Sequence, residues 1–124
     1  MLKGDFGILK KHIMIQNKSN GKFVHTVFFW LHHPESRKDR DDFEKSLIKF
    51  LNSSEYISTK HIGTPASTNR QVIDNTYTYC LMVTFESKGL HDKYQEEQVH
   101  KTFIAESEHL WKKVLIYDSE NILP

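Results

Sequence analysis

A chain of 124 residues with 17 basic and 16 acidic side chains and a formal net charge of +1 is sized for one domain. Its balanced charge excludes a basic nucleic-acid footprint and an acidic tail for a basic partner. No apolar run is long enough to span a bilayer. The single cysteine, Cys80, excludes an intrachain disulfide and fits a reducing, cytoplasmic setting.

Residues 1–21 read as an N-terminal extension of uncertain order that ends in a turn-forming run, NKSNG. Lys10, Lys11 and His12 interrupt the apolar core that a signal peptide would need. Residues 23–32 (FVHTVFFWLH) are aromatic and β-branched and read as a strand. Alternation puts Phe23, His25, Val27, Phe29 and Leu31 on one face and Val24, Thr26, Phe28, Trp30 and His32 on the other. Both faces are largely apolar, with His25 set in an otherwise apolar row. Ser36 is an N-cap for a helix over 37–52, whose stripe is Phe43, Leu47, Phe50 and Leu51. A second strand is predicted over 55–64, a loop over 63–75, and a third strand over 76–86 (TYTYCLMVTFE). A short helix over 87–95 carries Leu90 and Tyr94 one turn apart. A longer helix over 98–112 and a closing strand over 113–119 complete the chain.

Strand, helix, two strands, helix pair, strand is the ferredoxin-like βαββαβ order, an α+β fold with a four-stranded antiparallel sheet. Its helices cover one sheet face, yet the first and third strands are apolar on both. The open face would hold Val24, Phe28, Trp30, Cys80, Met82 and Tyr117, too large an apolar patch to leave in water. A homodimer packed sheet against sheet resolves the conflict.

The first strand with its histidine (FVHTVFFWL), the third strand ending in VTFES, and Tyr94 and His100 followed by Phe103 and LWKKVLIYD resemble the stress-responsive α/β-barrel (Dabb) domain. The likeness spans residues 22–120. It implies a ferredoxin-like homodimer whose two sheets close into a barrel. The family includes plant stress-induced proteins, many bacterial members and a plant polyketide cyclase with catalytic Tyr and His residues in a pocket between sheet and helices. That pattern is matched at His25, Tyr94 and His100. It is not matched in the third strand, where this chain has Tyr79 in place of a histidine. The resemblance therefore implies a cyclase- or lyase-like site in which His100 is the base and Tyr94 the hydrogen-bond donor.

The helical period sets His100 on the same side as Phe103, Ile104, Ser107 and Trp111, with His109 opposite. His25 and Tyr79 alternate onto rows that face the helices. Val27, Phe29, Leu81 and Phe103 would line an apolar cavity, and His61 would reach it in a suitable register. A buried histidine is neutral and able to take a proton, and a tyrosine hydroxyl can donate to a carbonyl oxygen that becomes an enolate. The ligand predicted is small, partly hydrophobic and carbonyl-bearing. The competing reading is a non-enzymatic, stress-related protein in which these histidines and tyrosines form a packing network. His12 and His91 read as exposed, and adjacent His32 and His33 point to opposite faces. No metal motif, phosphate loop or nucleophile elbow is present, so no cofactor is expected. An aromatic RNA-stacking sheet is opposed by the neutral charge.

Overall fold

The structure is a computed structural model that describes residues 22–124; the expectations for residues 1–21 and for His12 lie outside the described residues. The elements are β1 (Phe23–Leu31), α1 (Arg37–Ser53), β2 (Thr59–Gly63), β3 (Tyr79–Phe85), α2 (Lys88–Glu96), α3 (Gln98–Ser107), a 3₁₀ turn (Glu108–Leu110) and β4 (Trp111–Glu120). The sheet order is β2-β3-β1-β4, with every neighbouring pair antiparallel. With the helices packed on one face, this is the ferredoxin-like arrangement.

Side-chain alternation in β1 is strict: odd positions are buried and even positions half-buried. Directly paired residues share a face. The pairs His25–Val83, Val27–Leu81 and Phe29–Tyr79 therefore look toward the helices, together with Asp118, Ile116 and Val114 of β4. Phe43, Leu47, Phe50 and Leu51 of α1 are buried, on the stripe that the period predicts. The aromatic core runs across the layers: Phe43 stacks on Tyr79 with ring centroids 4.8 Å apart, and Phe29 meets Phe43 at 5.0 Å.

Side-chain caps set where two helices begin. Ser36 accepts from the Asp39 amide, and Ser87 from the Leu90 amide, each at 3.2 Å. Ser36→Ala and Ser87→Ala are each expected to cost about 1 kcal/mol. Urea denaturation checks this, and a loss below about 0.3 kcal/mol in both would remove the caps from the account.

Three boundaries differ from the sequence expectation. The strand predicted over 55–64 starts only at Thr59, because Ser54 Oγ and the Glu55 amide are taken by the Glu97 carboxylate, at 2.5 and 3.0 Å. The third strand starts at Tyr79, because Thr76 folds back onto Asp74 through its amide and its hydroxyl. The helix predicted to reach residue 112 ends at Ser107. Trp111 instead opens β4 opposite Leu31, beside an irregularity between Trp30 and Leu31. Its ring reaches Phe29 at 5.1 Å and Phe103 at 5.8 Å, so it joins the core from the sheet.

The other sheet face carries Val24, Thr26, Phe28 and Trp30 with Cys80, Met82, Thr84, Leu115 and Tyr117. Met82, Leu115 and Tyr117 are 38%, 37% and 59% exposed in the single chain. Phe28 touches Tyr77 and Tyr117 at ring distances of 5.0 and 6.2 Å, so the face is an aromatic surface that has no layer over it among the described residues. Among the described residues, no helix is long and apolar enough to cross a membrane.

Candidate functional site

The site forms where the centre of the sheet meets the junction of α2 and α3. Glu97 ends one helix and starts the other in an extended conformation, with φ −63° and ψ 142°. Its carboxylate is anchored to the chain leaving α1. This fixed bend turns Tyr94 and His100, on separate helices, toward each other at a ring distance of 5.2 Å. Phe50 of α1 backs both, at 5.3 Å from each ring. His25 approaches from β1, with its ring 5.8 Å from that of Tyr94.

Between them lies a cavity of about 110 Å³, lined by His25, Val27, Phe29, Phe50, Leu81, Tyr94, Gln95, His100, Phe103, Ile104, Trp111, Val114 and Ile116. Its walls are apolar except for two imidazoles, a phenol and an amide.

Burial governs the electrostatics here. It pulls His100 below its ordinary value, with His25 adding to the effect. Burial also lowers His25, against the raising influence of Asp118, whose Oδ1 lies 2.5 Å from His25 Nδ1. Tyr94 is pushed well above the usual phenol range by burial. At neutral pH the pocket thus holds two neutral imidazoles and a protonated phenol.

Of the residues predicted for the site, His25, Val27, Phe29, Leu81, Tyr94, His100 and Phe103 all line this cavity. Tyr79 does not. It is buried on the correct face but pairs with Phe29, four residues from His25 along β1, a separation of roughly 13 Å. Its hydroxyl donates to the Glu44 carboxylate, and burial with Glu44 pushes it up to about 12. His61 is also absent from the cavity. It pairs with Met82, so the register puts it on the opposite sheet face, exposed.

The reading of His91 as exposed is overturned. Its ring is buried, stacked on Phe23 at 4.4 Å and 4.9 Å from His25. The signal was its place three residues before Tyr94, on the same helix side. Asp118, the partner of His25, was also missed. Alternation from Val114 and Ile116 places it on the helix-facing row. One ligand atom from each of His25, His91 and Asp118 lies within 4.8 Å of the others, so this trio has the make-up of a metal centre. A second hollow, of about 170 Å³, lies on the open sheet face between Phe28, Trp30, Asp74, Tyr77, Leu115 and Tyr117.

Comparison with known proteins places these features in a wider set. No curated protein matches the chain. A Dabb family protein with a ferredoxin-like fold from Mesorhizobium loti is 19% identical, with a TM-score of 0.69 over 82% of this chain and 98% of its own. A dimeric ferredoxin-like protein of unknown function from Thermobifida fusca is 11% identical, with a TM-score of 0.65 over 82% and 92%. The hydroxynitrile lyase from Passiflora edulis is 17% identical, with a TM-score of 0.67 over 82% and 94%. At these identities the likeness is one of fold. The model of the Stress responsive A/B Barrel Domain matches residues 23–121, from the first residue of β1 to just past the end of β4, and the chain therefore belongs to the Dabb family.

Proposed function

We propose that the chain works as a homodimer joined through its open sheet faces, and that the pocket in each subunit binds a small, partly hydrophobic, carbonyl-bearing molecule and carries out lyase- or cyclase-like proton transfer on it. One observation carries this reading. The imidazoles of His25 and His100 and the phenol of Tyr94 together line one otherwise apolar cavity.

His100, neutral through burial, takes a proton from the carbon beside the carbonyl. The C–H electron pair becomes the enolate double bond, and the carbonyl oxygen takes the negative charge. Tyr94 stays protonated and donates to that oxygen. His25, held by Asp118, sets the third wall. A volume of about 110 Å³ equals about four waters, which favours a compact substrate over an extended polyketide. The hydroxynitrile lyase among the structural neighbours supports lyase-type chemistry as the better half of the reading.

The test is a panel of small aldehydes and ketones, read by ligand-detected NMR and by deuterium exchange at the carbon beside the carbonyl, together with hydroxynitriles, read by release of cyanide and the carbonyl compound as the hydroxyl proton is taken and the C–C bond breaks. His100→Ala is expected to slow exchange about 10²-fold or more, and Tyr94→Phe about 10-fold or more, with folding retained. The wild-type rate is expected to hold at about pH 6.5, the ordinary value for histidine, and to fall only at lower pH. The folded pKa of His100 lies lower, so activity persists until pH approaches that value, and protonation then removes the base. The charged and titratable groups around it are Tyr94, His25, His91, Glu96 and Glu97.

The small cavity and the ready-made His25–Asp118 pair favour the competing reading, a packing network in a non-enzymatic stress-related protein. That reading wins if no panel member binds and both variants lose more than about 2 kcal/mol of stability.

A further inference from the structure

We propose that His25, His91 and Asp118 form a binding site for one borderline divalent first-row metal ion, with zinc as the best fit. The three side chains come from three elements. His25 is central in β1, Asp118 faces it from β4 in direct register, and His91 stands in the first turn of α2. Their ligand atoms already lie within 4.8 Å of one another. Donors around a tetrahedral zinc at bond lengths of about 2.0–2.1 Å stand about 3.3 Å apart. A modest closure of the trio about an ion reaches that spacing, with the 2.5 Å contact between His25 and Asp118 opening to admit it.

The donor chemistry is selective. Two imidazoles and one carboxylate suit zinc and its first-row neighbours and not magnesium or calcium, which take oxygen ligands. Three protein ligands also leave a fourth position open, as in catalytic rather than structural zinc sites.

The surroundings fit an ion that enters from one side. Phe23 stacks on His91 at 4.4 Å, and Phe85 meets it edge-on at 5.5 Å, so the ring is held rather than free. The His25 side chain is 4% exposed and that of Asp118 is 41% exposed. The carboxylate is therefore the solvent-facing, movable ligand, and the imidazoles form the rigid back. This pairing has no local sequence spacing, which explains why no metal motif is visible in the chain. The inference does not rest on the proton-transfer reading. Metal titration measures no turnover, so either idea can fail alone.

The test uses the full, tag-free chain, stripped with chelator and dialysed, then titrated with Zn²⁺ in a calorimeter and with Co²⁺ in a visible spectrometer. One Zn²⁺ per chain is expected at a Kd of about 1 µM or tighter, and the Co²⁺ form should show the strong visible bands of a four- or five-coordinate ion. His91→Phe keeps the stack on Phe23 and removes the ligand. It should weaken Zn²⁺ binding about 30-fold or more and abolish the Co²⁺ bands, as should Asp118→Asn. His91→Gln is the second variant should the phenylalanine change disturb folding. His33→Ala and His109→Ala, at exposed positions, should bind as wild type. Absence of stoichiometric Zn²⁺ binding by the wild type would overturn the proposal. So would wild-type affinity in His91→Phe or His91→Gln.

Discussion

Phe43→Ala is expected to lower the unfolding free energy by about 3–5 kcal/mol. Phe43 has no exposed surface, and its ring joins more elements than any local pattern would suggest. It stacks on Tyr79 of β3 at 4.8 Å and meets Phe29 of β1 at 5.0 Å, Phe103 of α3 at 6.0 Å and Trp111 of β4 at 6.2 Å. Removing it opens a void that none of these rings can fill without leaving another partner. Each is itself buried or half-buried, and close-packed interiors relax only partly. A domain of this size has a total stability of about 5–15 kcal/mol, so the variant should sit near the folding threshold at body temperature. A fall in Tm of about 10–20 °C is expected, read by circular dichroism with a urea titration beside it. A loss below about 1 kcal/mol would mean that α1 collapses onto the sheet and closes the void. Phe43 is not among the residues lining the His25–Tyr94–His100 cavity, so ligand binding per folded molecule should persist at low temperature. Stability and site then separate.

Much of this architecture is legible from two periods. Alternation in FVHTVFFWL assigns His25 and Phe29 to the core face and Phe28 and Trp30 to the other, and the helical period separates His100 from His109. The Ser36 cap is local chemistry and falls at the expected residue; Ser87, read as the first residue of the next helix, is instead its cap. What the periods cannot supply is the relation between strands. Alternation puts Tyr79 and His25 on one face but does not fix how far apart the β1–β3 register sets them, and that distance removes Tyr79 from the pocket. The same ignorance of register leaves His61 free to be imagined inside, whereas its pairing with Met82 turns it out. Asp118 becomes the partner of His25 only through the β1–β4 register. Trp111 shows a further limit: a large aromatic residue at a helix–strand boundary satisfies a helical stripe and a strand face equally, and the competition is settled by the Phe29–Phe103 space it fills. The three matched stretches that suggest the family therefore locate the pocket, and the pairing decides which residues enter it.

Leu115→Glu is expected to leave a folded chain and abolish the proposed dimer. Leu115 sits opposite Phe28 on the open sheet face, midway along the edge strand β4, and is already 37% exposed in the single subunit. A glutamate there meets water in a monomer and costs the fold little. In a sheet-to-sheet dimer it is placed between Phe28 and the partner's aromatic surface, with nothing to neutralise it, and an unpaired buried charge costs several kcal/mol. Two-fold symmetry makes the change appear twice in one interface. Even at about 2 kcal/mol per copy, the size of an interface hot-spot effect, the dimer should weaken about 10³-fold. Sedimentation equilibrium at micromolar concentration reads the outcome directly: dimer for the wild type, monomer for the variant, with matching circular dichroism to show that both are folded. A dimeric variant would move the interface off this face, and a monomeric wild type would leave Phe28, Met82 and Tyr117 facing water. The exposed row and the half-buried Cys80 beside it give a second readout. The Cys80 thiol should react slowly with a maleimide in the wild type and about as fast as the folded monomer allows in Leu115→Glu, because in the proposed dimer the layer over it is the partner subunit.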